Sequence, residues 1–440
     1  MRNTLLIPLL LTVLVCGCSD KKTDERPKTS EDSTAKTTQP DPVVDNSKLD
    51  LTVGAGPVTL PDYEVDPKLM MASTLSSEQL NEGWVKLFDG HTLAGWSITG
   101  KADWQCKNGV IRVTQGEPSF LVTNFELADY ELKVDFRCAD KTNSGVFLRT
   151  APEPGDVGLD CLELNIAPPD NPFPTGSFVK RQRLEPEKLG SFDPKEWHTY
   201  HIRLEGESVK VSLDGKPITE IADETSSRRG CISLQHNQGV VEFRNVLLRP
   251  IAPRSMKMTS GWEEDWVVGE KEPGVLKVAS SGDGLHLQGG LGKVQSKSSF
   301  GDFWLQAKYT LAKPEVNTGI FFRCIEDSML DGYECQVNHA IIDKNPLAPK
   351  DSGAGAIFRR KPARIVIGDG TKPTHISLLA SGNQMFTWVN GILTAEFTDD
   401  RPADLNPRKG TRVEPGPIAL QGHDPTTDAT FHEIKVTTLR

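Results

Sequence analysis

The sequence contains one strand-like segment twice, at positions about 170 residues apart. The first copy reads NSGVFLRT over residues 143–150, and the second reads NTGIFFRC over residues 317–324. If each copy is a strand, Val146 points to one face and both Phe147 and Arg149 point to the other. A repeat of this length indicates a duplicated domain and not a solenoid of small units. The chain is therefore predicted to contain two related domains.

Both halves of the chain are predicted to be all-β. The 440 residues are more than one ordinary domain holds, and the 38 glycines and 30 prolines indicate many turns. Short alternating or apolar runs follow one another from residue 83 onward, and none of them has a helical period. Asp214-Gly215 and Asn390-Gly391 are two-residue hairpin signals at equivalent places. Each half is therefore predicted to be a β-sandwich.

The first 18 residues resemble a bacterial lipoprotein signal. Arg2 precedes an apolar run over residues 5–15, and VCGC over residues 15–18 is followed at once by polar residues. The resemblance implies cleavage before Cys18 and lipidation of Cys18, whereas the alternative is plain secretion with cleavage nearby. In the first case the protein is exported and lipid-anchored at the bacterial cell envelope.

Residues 19–75 are predicted to be a disordered tether and lead-in, because the first part is polar and almost free of large apolar residues. The first sandwich is assigned to residues 76–251 and the second to residues 261–440. A short helix is predicted at the start of the first domain, where Ser76 caps, Gln79 completes a capping box and Gly83 ends the helix.

Composition excludes some partners. The net charge of −10 argues against nucleic acid, since no basic stripe is available for phosphates. Six cysteines remain after Cys18, and both disulfides and free buried thiols fit them. No spacing indicates zinc, a phosphate-binding loop or a serine-hydrolase motif. Oligomeric state is left open, and no cofactor is predicted.

A repeated glutamate is the main candidate for chemistry. Glu163 and Glu334 follow the repeated segment in strands whose other face is apolar. A carboxylate among apolar neighbours is costly unless it is paired or used. Pairing with Arg149 (or Arg323 in the second copy) would brace the sheet, and an unpaired carboxyl would instead mark a substrate cleft.

Two histidines are further candidates. His236 follows Gln235, and His423 follows Gln421 after one intervening residue. Each is either an acid–base group or a turn histidine that caps the backbone. His201 and His375 are aligned with each other inside a strand and are interpreted as structural.

Two roles are possible for each of the other charged and aromatic residues. The cations at positions 180, 181 and 183, and those at 359, 360 and 364, either bind an oxyanion or are solvated loop charges. The tryptophans either stack on sugars or lie in the core; they are Trp84, Trp96, Trp104 and Trp262.

Several of these segments together resemble the 3-keto-disaccharide hydrolase family. They are GWVKLFDGHTLAGW over residues 83–96, the segment at 143–149, WHTY at 197–200, ISLQH at 232–236 and FRNV at 243–246. The resemblance implies two tandem concanavalin A-like β-sandwich (jelly-roll) domains, with a concave sugar-binding face on each. The second copy lacks the opening segment but keeps the repeated one and IALQ at 418–421.

The family implies cleavage of glycosides oxidised to a ketone at C3. A C3 ketone acidifies the C2 proton, so a site needs a base, a group that stabilises the enolate and an acid for the leaving oxygen. The candidate catalytic residues are Glu163 and His236 as base or acid and Arg149 facing the enolate oxygen, and the same roles in the second copy fall to Glu334, His423 and Arg323. The candidate substrate-binding residues are Asn143, Asn165, Gln235, Asn317, Gln336 and Gln421.

Two further alternatives remain at this point. The same fold also serves non-catalytic carbohydrate binding or surface adhesion. The fold commonly holds a calcium ion, for which Asp160 or Asp331 could serve, although no dense run of carboxylates supports such a site.

The lipid anchor is tested by replacing its acceptor. Cys18→Ala is expected to abolish incorporation of radiolabelled palmitate and to move the protein from the membrane fraction to the soluble fraction of the bacterial envelope. Cys16→Ala is the matched control and should leave both readouts unchanged. Absence of labelling in the parent would show plain secretion instead.

Overall fold

The computed structural model describes residues 48–53, 66–223, 229–269, 275–326, 328 and 330–439. The signal peptide, Cys18 and most of the tether lie outside the described residues. In the described part, no helix is long and apolar enough to cross a membrane. The two β-sandwich domains belong to one compact unit, which spans Asp45–Arg440.

Two short helices precede the strands. They are α1 (Pro67–Ala72) and α2 (Ser77–Asn81). The predicted capping box is confirmed, because Ser76 Oγ accepts from the Gln79 amide and Gln79 Oε1 accepts from the Ser76 amide. Gly83 follows α2 with a φ of 87°, as a helix-ending glycine should. Helix α1 lies in the lead-in, where the sequence predicts no helix.

The first domain is a sandwich of an eight-stranded and a five-stranded antiparallel sheet. The larger sheet has the order β11-β10-β9-β6-β13-β4-β3 with β1 on β13, and the smaller has the order β2-β5-β12-β7-β8. A 3₁₀ turn lies at Pro186–Lys188. The strands are β1 (Val85–Lys86), β2 (Trp96–Ala102), β3 (Gln105–Lys107), β4 (Val110–Val113), β5 (Gly116–Thr123), β6 (Tyr130–Cys138), β7 (Asn143–Thr150), β8 (Leu162–Ile166), β9 (His198–Glu205), β10 (Ser208–Leu213), β11 (Lys216–Ala222), β12 (Cys231–Gln238) and β13 (Val241–Pro250).

The second domain repeats this architecture. Its larger sheet has the order β16-β17-β28-β19-β24-β25-β26 with β14 on β28, its smaller sheet has the order β15-β18-β27-β20-β21, and β22 pairs with β23. Two 3₁₀ turns lie at Trp262–Glu264 and Lys350–Ser352. The strands are β14 (Arg254–Met256), β15 (Trp266–Gly269), β16 (Lys277–Ser281), β17 (Gly284–Gln288), β18 (Gly292–Phe300), β19 (Phe303–Leu311), β20 (Thr318–Phe322), β21 (Tyr333–Val337), β22 (Ile341–Ile342), β23 (Asn345–Pro349), β24 (Thr374–Ser381), β25 (Gln384–Val389), β26 (Ile392–Thr398), β27 (Gly416–Gly422) and β28 (Asp428–Thr438).

The predicted alternation in the repeated strands is confirmed for the apolar face. Val146 and Leu148 lie in the core of the first domain, and Ile320 and Phe322 lie in the core of the second. The all-β, tandem-sandwich prediction is therefore correct. The six cysteines of the described body are free thiols.

Both predicted hairpin turns are confirmed. Asp214 and Gly215 join β10 to β11 with φ of 50° and 77°, and Asn390 and Gly391 join β25 to β26 with φ of 48° and 83°. Two consecutive positive φ values are what a type I′ turn requires.

The alignment of His201 with His375 is wrong by two residues. His201 pairs with Lys133 on β6, whereas His375 pairs with Lys308 on β19. His375 instead corresponds to Thr199. The Thr199 carbonyl accepts a hydrogen bond from the amide of the hairpin residue Asp214, and the His375 carbonyl accepts one from the amide of the hairpin residue Asn390. A shift of two residues keeps every side chain on the same face, so the strand pattern could not reveal it.

The two sandwiches share an apolar interface. Trp304, Phe386 and Trp388 belong to the second domain but pack in the same buried cluster as the first-domain core. Trp388 stacks on Trp304, with ring centroids 5.8 Å apart, and its indole N–H donates to the Lys86 carbonyl at 3.1 Å. Arg364 and Asp89 form a 2.6 Å ion pair between the domains. We therefore expect the two domains to unfold together.

Removal of the central tryptophan tests that expectation. Trp388→Ala should destabilise the protein by about 3–5 kcal/mol, because the side chain is buried and its loss leaves a cavity. Calorimetry of the parent protein should give a single transition, which moves to lower temperature in the variant. Trp262→Ala is the control, since Trp262 is only partly buried and lies away from the interface. Two separate transitions in the parent would contradict a shared core.

Candidate functional site

Each five-stranded sheet has one face that points away from the core of its own domain. We call the face on β2-β5-β12-β7-β8 the first outer face and the face on β15-β18-β27-β20-β21 the second outer face. On these faces Phe147 lies opposite Glu163, and Phe321 lies opposite Glu334. The structure thus places the repeated glutamates on equivalent outer-face positions.

The repeated glycine makes room for the glutamate carboxyl. A Cβ atom at Gly319 would lie 2.7 Å from Glu334 Oε1, and one at Gly145 would lie 3.4 Å from Glu163 Oε1. The glutamate side chain therefore extends over the neighbouring strand into the space that a side chain would occupy. This close approach explains why glycine recurs at the third residue of both segments.

Both glutamates have strongly perturbed acidity. Each is 6% exposed, and burial raises the pKa of Glu163 and of Glu334 to about 7. Among the described residues, none donates a hydrogen bond to either carboxyl or forms an ion pair with it. For Glu334, nearby Arg408 and Arg359 favour the ionised form, and Asp351 opposes it. Each carboxyl can therefore exchange a proton near neutral pH.

Unpaired amide oxygens lie beside these carboxyls. Gln235 Oε1 on the first outer face has no hydrogen-bond donor among the described residues, and the same is true of Gln336 Oε1 and Gln421 Oε1 on the second. All three atoms are buried, and a buried acceptor without a partner costs about 1–3 kcal/mol. Hydroxyl groups of a sugar are donors that would satisfy such oxygens.

The expected pair of Arg149 with Glu163 is wrong. Arg149 has a φ of 49°, which interrupts the alternation and turns its side chain toward the end of the sandwich. Its guanidinium donates to the Ala128 carbonyl at 2.8 Å and contacts the carboxylates of Asp129 and Asp223 at 3.2 and 3.4 Å. Arg149 therefore braces the first sandwich and does not reach the outer face.

The expected pair of Arg323 with Glu334 is wrong for the same reason. Arg323 has a φ of 48°, and its guanidinium contacts Asp302 at 2.9 Å and the Gly382 carbonyl at 2.6 Å. The same group also donates to the carbonyls of Gly301 and Arg412. The repeated arginine is thus a structural feature in both domains.

The two candidate histidines occupy opposite faces. His236 lies opposite Ser144 on the inward side of β12, as Leu234 does, and burial lowers its pKa. His423 is displaced by one residue because Gly422 precedes it, and a one-residue shift changes the face. His423 therefore lies on the second outer face, with Nε2 3.4 Å from Asn317 Nδ2. His236 cannot share a site with Glu163.

A polar network surrounds His423. Its Nδ1 lies 2.9 Å from an Asp424 carboxylate oxygen, so that Nε2 faces Asn317. Asn317 donates to Asp351 at 2.8 Å and accepts from Gln336 at 3.0 Å. The network joins a histidine, two amides and two carboxylates beside Glu334.

Asp351 and Asp424 carried no sequence signal. Asp351 is exposed, adopts a φ of 51°, and follows the β22–β23 hairpin, for which the described part of the first domain has no counterpart. Residues in the left-handed region cluster at functional sites, where their surroundings hold them in place. The strand pattern says nothing about a loop of this kind.

The substrate-binding candidates of the first copy are less available. Asn165 Nδ2 donates to the Phe173 carbonyl, so this amide holds its own loop. Asn143 is half-buried at the start of β7 opposite Gln238. Of these three, Gln235 is the residue whose side-chain oxygen is buried without a partner among the described residues.

Arg408 is an arginine whose positive charge acts on the Glu334 carboxyl, and sequence reasoning missed it. Its guanidinium lies 5.6 Å from the centre of the Phe321 ring, and Phe321 is the cross-strand neighbour of Glu334. It also donates to the Leu330 carbonyl at 3.0 Å. Arg408 comes from the irregular segment between β26 and β27, which has no repeated pattern.

The remaining candidates have structural surroundings. Trp84, Trp96 and Trp104 are buried, so their predicted alternative of stacking on sugars is wrong, and Trp262 is half-buried. Arg364 holds the domains together, and Arg181 donates to the carbonyls of Gly158 and Cys161. Exposed or half-exposed loop cations are Lys180, Arg183, Arg359 and Arg360.

The two aspartates considered for calcium serve their own loops. Asp160 accepts from the amides of Gly155 and Asp156, and Asp331 accepts from Ser328 Oγ. In the described residues, no group of three or more His, Cys, Asp or Glu is arranged to hold a metal ion.

Comparison with known families gives a direct match. The model of the 3-keto-alpha-glucoside-1,2-lyase-like domain matches residues 83–249 and again residues 257–437. The chain belongs to this family. Its two domains are two family members in tandem, and the family makes this a carbohydrate-active protein.

Several solved structures are similar to part of the chain. A candidate glycosyl hydrolase from Parabacteroides distasonis is 20% identical, with 41% of this chain and 99% of that chain covered and a TM-score of 0.36. Carbohydrate-binding module CBM66 from Bacillus subtilis is 17% identical, with 41% and 98% covered and a TM-score of 0.30. Bacillus licheniformis β-glucanase is 14% identical, with 38% and 97% covered and a TM-score of 0.29. No curated protein matches the sequence.

Replacement of Glu334 should change how stability depends on pH. Because the pKa is raised from 4.5 to about 7, the unfolded chain loses this proton at a lower pH than the folded protein does. The contribution of Glu334 to stability is therefore complete below pH 4.5 and is lost as pH rises to about 7. A shift of this size corresponds to roughly 3 kcal/mol.

The test compares Glu334→Gln with the parent in urea unfolding from pH 4 to pH 8. The stability of the variant relative to the parent should rise by about 3 kcal/mol over this range. Glu187→Gln removes an exposed carboxyl and should show no such trend. A difference independent of pH would mean that Glu334 is not held in its neutral form.

Proposed function

We propose that the protein cleaves glycosides that carry a ketone at C3, and that the second outer face is the site of cleavage. The observation that carries the proposal is the buried, unpaired carboxyl of Glu334, whose pKa of about 7 suits proton transfer at neutral pH. Membership of a family described as 3-keto-alpha-glucoside-1,2-lyase-like supports the substrate class.

The first step would be proton removal at C2. The ionised carboxylate of Glu334 takes the C2 proton, and the electron pair of the C2–H bond moves toward the C3 oxygen to form an enolate. A nearby cation would stabilise the negative charge on that oxygen. Arg408 is suited to this role because its positive charge acts on Glu334 from above the adjacent Phe321 ring.

The second step would be loss of the group at C1. The enolate reforms the C3 carbonyl, a double bond forms between C1 and C2, and the bond from C1 to the glycosidic oxygen breaks. The leaving oxygen takes a proton from an acid. His423 is suited to this role because Asp424 orients its Nδ1 and leaves Nε2 facing the polar network. Addition of water across the double bond would complete a net hydrolysis.

The unpaired glutamine oxygens would hold the sugar. Gln336 and Gln421 flank the Gly319 position over which the Glu334 carboxyl extends. Their buried Oε1 atoms accept from sugar hydroxyls, and this fixes the ring relative to the base.

A second candidate function is binding without cleavage. It is favoured by one observation, namely that the repeated Arg, Glu and His of the first copy do not converge, because Arg149 and His236 both point away from Glu163. The experiment below separates the two functions.

Activity is tested on the purified protein with a 3-keto-disaccharide, by measuring release of the free sugar. Glu334→Gln should lower turnover by roughly 100- to 10,000-fold, the usual contribution of a general base. For the parent, kcat/KM should rise with pH up to about 7, because the base must be ionised. Glu163→Gln is the matched control and should retain turnover. Measurable binding with no turnover by the parent would establish the second candidate instead.

A further inference from the structure

We propose that two arginines at the edge of the second domain form a binding site for an anionic group, so that this domain selects glycosides that carry a negative charge. We call these two residues, Arg359 and Arg360, the cationic rim. The choice of a glycoside as the ligand rests on the proposed function, whereas the rim itself does not.

The cationic rim lies beside Glu334. Residues 356–358 extend the smaller sheet beyond β21, and the Phe358 amide donates to the Glu334 carbonyl at 2.9 Å. Phe358 therefore lies opposite Glu334 and on the same face of the sheet. The guanidinium of Arg359 lies 5.3 Å from the centre of the Phe358 ring, and its positive charge acts on the Glu334 carboxyl. The rim thus begins one strand beyond the proposed base.

Arg360 carries a positive charge that no carboxylate balances. Its guanidinium donates to the Arg408 carbonyl at 2.8 Å and forms no ion pair among the described residues. The guanidinium of Arg401 donates to the same carbonyl at 3.4 Å, so two cations lie side by side. Burial and the positive charge of Arg401 lower the pKa of Arg360. A bound anion would relieve this repulsion.

The equivalent arginine of the first domain has a carboxylate partner. Arg181 corresponds to Arg360, because each is the fourth residue of a turn that a β-bridge closes. The Arg181 guanidinium lies 3.8 Å from the carboxylate of Asp223, the residue that directly follows β11. The residue before it, Lys180, contacts Asp156 at 3.0 Å. Both cations at this edge of the first domain are therefore paired.

A longer segment of the second domain removes that partner from Arg360. The segment between β26 and β27 covers residues 399–415, whereas the segment between β11 and β12 covers only residues 223–230. Asp399 directly follows β26, as Asp223 follows β11, but the added Arg401 binds both of its carboxylate oxygens at 2.8 Å. The inserted arginine takes the aspartate, and Arg360 is left available for a ligand.

The chemistry of the rim favours a carboxylate or a sulfate ester. A guanidinium presents parallel N–H donors that match two oxygens of such a group. Arg359 is exposed and Arg360 is half-buried, so a ligand can reach both. The protein as a whole carries a net charge of −10, and attraction of an anion must therefore come from a local cluster of this kind.

The test compares the turnover of four phenyl 3-keto-α-glycosides by the full chain. The glucoside is the neutral reference, the glucuronide and the glucoside 6-sulfate carry the anion on the ketosugar, and the 4-carboxyphenyl glucoside carries it on the leaving group. In the parent, kcat/KM for at least one anionic compound should exceed that of the reference by about 10- to 100-fold, the worth of one charge-assisted hydrogen bond. Arg360→Ala should abolish this preference, and about 0.5 M sodium chloride should reduce it.

Lys277→Ala is the matched control and should retain the preference, because it removes an exposed cation from β16 on the larger sheet of the same domain. Arg359→Ala should lower the preference as well. Since Arg359 is exposed, this second variant keeps the test decisive if Arg360→Ala fails to fold. Absence of a preference in the parent, or a preference that survives both arginine substitutions, would overturn the inference.

Binding separates this inference from the proposed function. Equilibrium dialysis of the same four compounds against Glu334→Gln measures affinity without turnover. If the parent cleaves none of the compounds but the anionic ones bind more tightly and need Arg360 for it, the proposed function fails and the anion site stands. If the neutral reference is cleaved and no anionic compound is preferred in turnover or in binding, the anion site fails and the proposed function stands.

Discussion

The approach of a buried carboxyl to a side-chain-free backbone position is the constraint on which both outer faces depend. Glu334 extends over Gly319, and Glu163 extends over Gly145 in the same way. Because the carboxyl is buried and unpaired, it titrates near neutral pH. Such a group costs stability, and retention of a costly group in both domains is what function would require.

The repeated arginine braces its sandwich and does not form the pair with the glutamate that its sequence context indicates. Arg149 and Arg323 close the ends of their sandwiches by binding carbonyls and aspartates. Asp302 is shared, since it also binds Arg229 of the first domain at 3.1 Å. The motif therefore recurs because it fixes the strand that carries the glycine, and the end of the second sandwich is tied to the first domain by the same aspartate.

The two copies carry different residues on the outward faces of their sheets. The second residue of β6 is Glu131, which binds His201 and Arg249, whereas the second residue of β19 is Trp304, which packs at the domain interface. The aromatic residue at this place in the second domain thus contributes to the contact between the domains. On the five-stranded sheets the aromatic residue is in the first domain and the charged residue is in the second, because Phe120 occupies the place that Lys293 occupies in the second domain. The two outer faces consequently differ in chemistry while sharing a fold.

The sequence by itself determined the all-β class, the duplication, the capped helix and both hairpin turns, because these depend on local alternation and on residues with special φ preferences. It also located Glu163 and Glu334, since a lone carboxylate in an apolar strand is conspicuous. Only the tertiary structure decided which groups meet those carboxyls. The left-handed φ of Arg149 and of Arg323 turns each arginine away from the outer face. The additional Gly422 places His423 on the second outer face, whereas His236 lies on the inward side of its strand. Asp351 and Arg408 arrive from irregular loops whose path follows from packing and not from periodicity, so no pattern in the chain could have assigned them.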